Sequence, residues 1–345
     1  MLLTKGDLRL LDDQLAKLAR TPYFYGTLDS YLEQLRETTA KLLSEFDKVP
    51  AEIARGLTRQ IWIASKFLSG SASREIPYEI VYALNMALRD WHPPSSRKLA
   101  ITTALLDDQQ YYFLGISPLF YKVTQDLLGI TFQYDLVQIA LPRLYKHRPT
   151  YNAALYHELG HFVEQYHRIT RFSALLLPAM SPASTEESER AQQHMKEHFA
   201  DLFAASYVGE AIIRILSEIA PSEGASKTHP AMKTRIEVVT AYLEGKQNNI
   251  VDILMSSMKA LSLAELNHKF THPDISNSFG NIRPHRLSSD SEVHGILLSA
   301  YKFIDATLKS PPAAWSGIEE GDVVRIVNDL LEKSVRNRMI TNGWT

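Results

Sequence analysis

Cysteine is absent from the 345 residues, which removes disulfide frameworks, thiolate metal sites and cysteine nucleophiles. Any metal must therefore bind through nitrogen and oxygen, and the absence accords with a reducing, cytoplasmic setting. An excess of one charge is also lacking: 37 Lys and Arg stand against 39 Asp and Glu, a formal net charge of −2. No global field then draws the protein to nucleic acid or to an anionic membrane surface. Long apolar runs are missing too. Residues 172–180 and 212–219 fall short of the roughly 18 to 20 residues that a spanning helix needs. Lys5, Asp7 and Arg9 interrupt the first leucines, so no secretory signal segment is expected. These absences predict a cytoplasmic protein with no integral membrane segment and no nucleic-acid partner, and they leave the oligomeric state open.

The composition is otherwise that of a folded chain, with 45% hydrophobic and 10% aromatic residues. Its length corresponds to roughly two domains of about 150 residues. Helical apolar spacing recurs early: Leu28, Tyr31, Leu32, Leu35, Leu42, Leu43 and Phe46 mark a helix over 27–46, and 50–68 and 77–91 read alike, each opened by a proline. A small-residue break is expected at 69–73 and another at 92–96. Residues 98–106, 111–116 and 132–141 are richer in β-branched and aromatic types and predict a small sheet, with a helix at 117–128 between them. Helices are then expected at 150–167, 190–207, 209–219, 229–243, 250–266, 291–308 and 321–336. The polar stretches 181–189 and 271–290 read as loops, the first a candidate lid.

Within the 150–167 helix stands His157-Glu158-Leu159-Gly160-His161. Two histidines four apart lie one above the other on a helix, so both imidazoles reach one zinc ion, and the glutamate after the first can act as a base on water. Gly160 costs about 1 kcal/mol of helix propensity relative to alanine, which points either to close backbone packing or to room for the site. A catalytic zinc takes a third protein ligand. His167 lies six residues past His161, about 600° around an unbroken helix, and Glu164 occupies the position where a glycine would turn the chain. Glu197 is the preferred ligand, since Asp201 shares its face at i+4 and can orient a ligand histidine. His194, on the same face, is the rival. Further on, Thr228-His229-Pro230 precedes or opens a helix, and Arg235 returns to that neighbourhood as a second cationic donor.

In this order the three pieces resemble the gluzincin metallopeptidases, in particular the family of the CAAX prenyl proteases and HtpX. Glu197-x-x-Ala200-Asp201 after the His-Glu-x-x-His helix is also similar to the ImmA/IrrE metallopeptidases. The first resemblance covers about 136–243 and leaves both ends of the chain outside. It implies that His157, His161 and Glu197 hold Zn2+, that Glu158 is the general base, that Asp201 orients a ligand, and that His229 and Arg235 stabilise the tetrahedral intermediate. The expected fold is mainly α (α+β): a zincin-like core over 97–246, with a small sheet beside the His-Glu-x-x-His helix, between helical regions at 1–96 and 247–345. Residues 136–141 are the candidate sheet edge for substrate or else an ordinary core strand, and His272 and His285 are reserve oxyanion donors. The expected activity is zinc-dependent hydrolysis of peptide bonds in a protein or peptide substrate. The alternatives are a non-catalytic zinc-stabilised interaction protein and a zinc hydrolase of another bond.

Overall fold

The computed structural model describes residues 2–20, 23, 26–71, 78–91, 97–108, 110–176, 185–219 and 224–343. The helices are α1 (Leu2–Leu18), α2 (Gly26–Ser44), α3 (Ala51–Gly70), α4 (Tyr78–Arg89), α5 (Pro118–Leu128), α6 (Ala153–His167), α7 (Ile169–Leu176), α8 (Thr185–Val208), α9 (Ala211–Ile219), α10 (Met232–Leu243), α11 (Asn249–Ala260), α12 (Ser276–Gly280), α13 (Asp290–Lys309) and α14 (Glu320–Thr341). The strands are β1 (Lys98–Leu106), β2 (Tyr112–Gly115) and β3 (Tyr134–Pro142). The chain is thus mainly helical with one small sheet. Among the described residues, no helix is long and apolar enough to cross a membrane.

The chain divides into two units. One joins residues 1–77 to 92–143; the other joins 78–91 to 144–344. These cuts differ from the boundaries at 96–97 and 246–247 expected from the sequence. The sheet belongs to the first unit, while the His-Glu-x-x-His helix belongs to the second.

In the first unit, leucines of α1, the apolar faces of α2 and α3, and Phe120, Tyr121 and Leu128 of α5 enclose Leu136 of β3 and Ala100 of β1. The strand order is β1-β3-β2, with β3 parallel to β1 and antiparallel to β2. This corrects the reading of 136–141 as a substrate-binding edge: β3 is central, and its main chain is paired on both sides. The residues explain why, because Leu136, Val137, Ile139, Ala140 and Leu141 form a nearly continuous apolar run, the pattern of a strand buried on both faces.

The second unit is helical. Its centre is α8, whose C-terminal half is buried all round through Phe199, Ala200, Leu202, Phe203, Ala204, Ala205, Tyr207 and Val208. Only its N-terminal half shows a solvated face. That half includes residues 185–189, expected as part of a lid but helical here, since Glu186 and Glu187 sit in the first turn, where carboxylates favour the positive end of the helix dipole. Residues 181–184 lie outside the described residues, as do 92–96 and residues 72 and 73 of the break expected at 69–73; Ser69 and Gly70 themselves end α3 and Ser71 caps it. Two further boundaries move. The helix expected over 250–266 stops at Ala260, after which Ser262 takes a left-handed conformation, and the loop at 271–290 contains the short α12.

Gly295 in α13 is packed against a loop backbone: a Cβ there would lie 2.1 Å from the Thr271 carbonyl oxygen. Backbone cannot yield as a flexible side chain does. Gly295→Ala is therefore expected to destabilise the protein by about 2 to 3 kcal/mol, despite alanine's better helix propensity, a loss to be measured by urea denaturation.

Candidate metal centre

The site forms where α6 crosses α8 at very close range. A Cβ on Gly160 would stand 2.7 Å from Ala200 Cα and 3.1 Å from Phe203 Cβ, so only glycine permits this approach. Gly160 lies between the two histidines of α6, and Ala200 lies one turn after Glu197 on α8. The approach consequently falls beside the ligands.

His157 Nε2 and His161 Nε2 are 3.0 Å apart. Glu197 reaches both: its Oε1 is 3.3 Å from His161 Nε2 and its Oε2 is 3.4 Å from His157 Nε2. These three residues form the one cluster of metal-ligating side chains among the described residues. Ligand atoms at ~2.0 to 2.1 Å from a tetrahedral ion stand roughly 3.3 Å from one another, which matches these separations. Moreover, Glu197 Oε2 is buried and has no hydrogen-bond partner. An orphaned carboxylate oxygen between imidazole nitrogens is the lone-pair arrangement a cation completes. The residues present thus fit a divalent ion bound through two nitrogens and one oxygen.

Behind the ligands lies a buried chain of charge. Asp201 Oδ1 stands 2.9 Å from His157 Nδ1, within hydrogen-bond reach though off its ideal line. The Arg235 guanidinium grips Asp201 from α10 with two donors, Nε to Oδ2 and Nη2 to Oδ1, each at 2.7 Å. Asp201 and Arg235 are both buried. Burial works against charge on Asp201, but attraction and hydrogen bonding by Arg235 outweigh it, and its pKa is lowered to about 2. Burial also opposes charge on His157; Asp201 and Glu197 overcome it and raise the pKa to about 10. Glu197 is likewise disfavoured as a charge by burial yet held well below the usual carboxylate range by the two histidines.

Glu158 points to the same neighbourhood. It is half-buried, and burial raises its pKa against the opposing influence of His157 and His161. His229 Nε2 lies 3.6 Å from Glu197 Oε2, and its Nδ1 is 2.8 Å from the Thr228 hydroxyl. A tight turn fixes it: the His229 N–H donates to Ser226 Oγ, and the Ser226 N–H donates to the His229 carbonyl. Pro230 and Ala231 stay extended and α10 begins only at Met232, so His229 precedes the helix.

The residues singled out in the sequence separate clearly. His157, Glu158, His161, Glu197, Asp201, His229 and Arg235 converge. Arg235 does so as the partner of Asp201, so its donors face a carboxylate where the sequence suggested an oxyanion. His194 lies outside the cluster, its Nε2 2.9 Å from the Ser226 carbonyl, where it braces the His229 turn. His167 is a helix-end residue, 3.0 Å from the Trp91 carbonyl. His272 and His285 contact the Gly295 carbonyl and Ser278. Ser226 escaped the sequence reading, and Thr228 was named there without a role; the Ser-x-Thr-His-Pro spacing is a turn signal that could have found both.

Compared with known proteins, the chain matches no family model, no curated protein and no solved structure.

Two outcomes follow from the charged chain. Arg235→Met leaves Asp201 charged, buried and unpaired, and should cost about 3 to 5 kcal/mol of stability by denaturant titration. Adding Asp201→Leu should restore part of that loss while zinc affinity stays about 10 to 100-fold weaker by competition with a chelating dye. Acid should act on the same pair. With its pKa lowered to about 2 from an ordinary value of 3.8, Asp201 contributes stability that is fully present above the unfolded value and is lost as pH falls through about 2. The contribution is about 2 kcal/mol, and denaturation curves of metal-free protein between about pH 5 and about pH 1, roughly one unit beyond the two values, should reveal it.

Proposed function

We propose that the protein is a zinc-dependent peptidase whose ligands are His157, His161 and Glu197 and whose general base is Glu158. One observation carries the reading: two imidazole nitrogens converge with a carboxylate whose Oε2 has no hydrogen-bond partner, with a further half-buried carboxylate, Glu158, beside them and outside the ligand set. Three protein ligands are the count of a catalytic zinc site, whereas a structural site fills all four positions. The imidazole and carboxylate donors suit zinc, and without cysteine no thiolate competes. A zinc ion held there would supply Lewis acidity and a water whose pKa is lowered to about 7.

The chain's own residues supply the remainder. Glu158, whose ionised carboxylate burial makes a stronger base, takes a proton from the attacking water and passes it to the leaving amine. Asp201 holds His157 with Nδ1 as donor, which leaves Nε2 as the ligand atom, and Arg235 fixes Asp201 in turn. With the Thr228 hydroxyl donating to Nδ1, His229 carries its proton on Nε2 and serves as the oxyanion donor, a role in which one such group is typically worth on the order of 3 kcal/mol. This division of labour follows the gluzincin resemblance in every residue except Arg235, which becomes a positioning residue.

The reading is tested with protein purified without chelators, assayed for metal content and for cleavage of casein. Glu158→Gln is expected to keep one zinc per chain and to lose at least about 100-fold in hydrolysis. A variant that cleaves as fast as the parent would refute the mechanism, and so would cleavage that survives removal of the metal.

A further inference from the structure

Beside the ligand cluster lies a cleft whose charge the mechanism leaves unused. His161, Glu164, Gln165, Arg168, Arg171 and Lys196 line a cavity of about 530 Å3, a size within the range of ~300 to 1,000 Å3 that ligand pockets occupy. His161 belongs both to this wall and to the metal-ligand cluster. Three cations thus border a space that opens directly beside the proposed reaction centre.

Against the one carboxylate that lines the cleft with them, Glu164, they leave an excess of positive charge. The side chains of Arg168, Arg171 and Lys196 form no ion pair with a carboxylate among the described residues. The acid of the cleft, Glu164, is committed elsewhere: it is buried, and its Oε1 accepts from the Thr170 N–H at 3.3 Å and from the Thr170 hydroxyl, closing the N-terminus of α7. Arg168 occupies a position that glycine usually takes, the left-handed residue capping α6, with φ 57° and ψ 37°. An arginine side chain is therefore presented at the turn where none is needed for the backbone.

Resting on the peptidase reading above, we propose that this cleft binds a carboxylate of the substrate chain and selects the bond to be cut. Arginine forks match the planar carboxylate, and Glu164 disfavours a more highly charged anion. Arg168 lies seven residues past His161, roughly 10 Å at 1.5 Å per residue. Extended chain covers that distance in about three residues at ~3.3 to 3.6 Å each. The recognised carboxylate is consequently an Asp or Glu side chain within about three residues of the scissile bond, or the α-carboxylate of a chain that ends there.

The test uses the full chain loaded with zinc. Labelled casein-derived peptides that contain one Glu are made with Glu or Gln at that position and with a free or amidated end. Binding of each labelled peptide to the zinc-loaded Glu158→Gln variant is read by fluorescence anisotropy, independently of turnover. The expected result is at least about tenfold tighter binding of one carboxylate form over its neutral partner; the side-chain pair and the terminal pair tell the two sources apart. Arg168→Gly, at the left-handed position, with Arg171→Ala, both exposed residues, should abolish that preference while leaving the zinc content unchanged. Equal affinity for charged and neutral peptides overturns the cleft's role, as does a preference that survives the double substitution. Carboxylate-selective binding with no hydrolysis by the parent protein would instead overturn the peptidase reading and leave the cleft standing as a binding site.

Discussion

Contact between α6 and α8 is the constraint from which the site derives. For one carboxylate to meet two imidazoles of another helix, the backbones must nearly touch, and Gly160 against Ala200 lets them do so. The glycine forgoes about 1 kcal/mol of helix propensity, a local cost set against the position of three ligands. A side chain at 160 would force α6 away from α8 at the turn that carries His157 and His161. Propensity and geometry conflict here, as is common where function has a claim on the structure.

The buried charges sharpen that view. An ion pair such as Asp201 with Arg235 is a weak source of stability, because apolar residues of similar volume often serve as well or better. Its value lies in direction. Arg235 holds both oxygens of Asp201, Asp201 faces His157 Nδ1, and His157 is thereby turned with Nε2 toward His161 and Glu197. Three helices distant in sequence, α6, α8 and α10, are thus tied into one orientation of one imidazole ring. The pair also keeps negative charge behind the ligand, which raises the donor strength of the ring.

Much of this was legible in the sequence because helix periodicity is local. The four-residue spacings His157 to His161 and Glu197 to Asp201 fix a shared face without any knowledge of the fold, and close packing was one of the two readings that the cost of Gly160 allowed. β1 was legible to the residue, since its β-branched run has clear polar ends. Pairing partners were not. Whether residues 136–141 lie at an edge or in the middle depends on which strands flank them, and β2 and β1 pair with β3 through contacts that no local pattern records. The same limit hid the role of Arg235: its spacing from His229 is visible, but its choice of Asp201 over an oxyanion is a tertiary fact. Terminal boundaries shifted for a further reason, because Glu186 and Glu187 suit a polar loop and a helix first turn equally well.

Exposure across the cluster indicates how a substrate would reach it. The His157 and Glu197 side chains are only 9% and 10% exposed, whereas His161 is 29% and His229 54% exposed. Solvent therefore meets the ligands at His161 and His229. At His229 the exposed ring is pinned by the Ser226 turn and braced through His194, so it is held in place before any substrate arrives. At His161 the wall continues into the cationic cleft. Under the peptidase reading, a chain entering by this open side would meet the His229 ring at one end and, at the other, Arg168, Arg171 and Lys196, which form no ion pair among the described residues. Binding energy gathered from a substrate carboxylate in that cleft would then align the neighbouring bond with Glu158, which is how remote contacts raise the rate at a reacting centre.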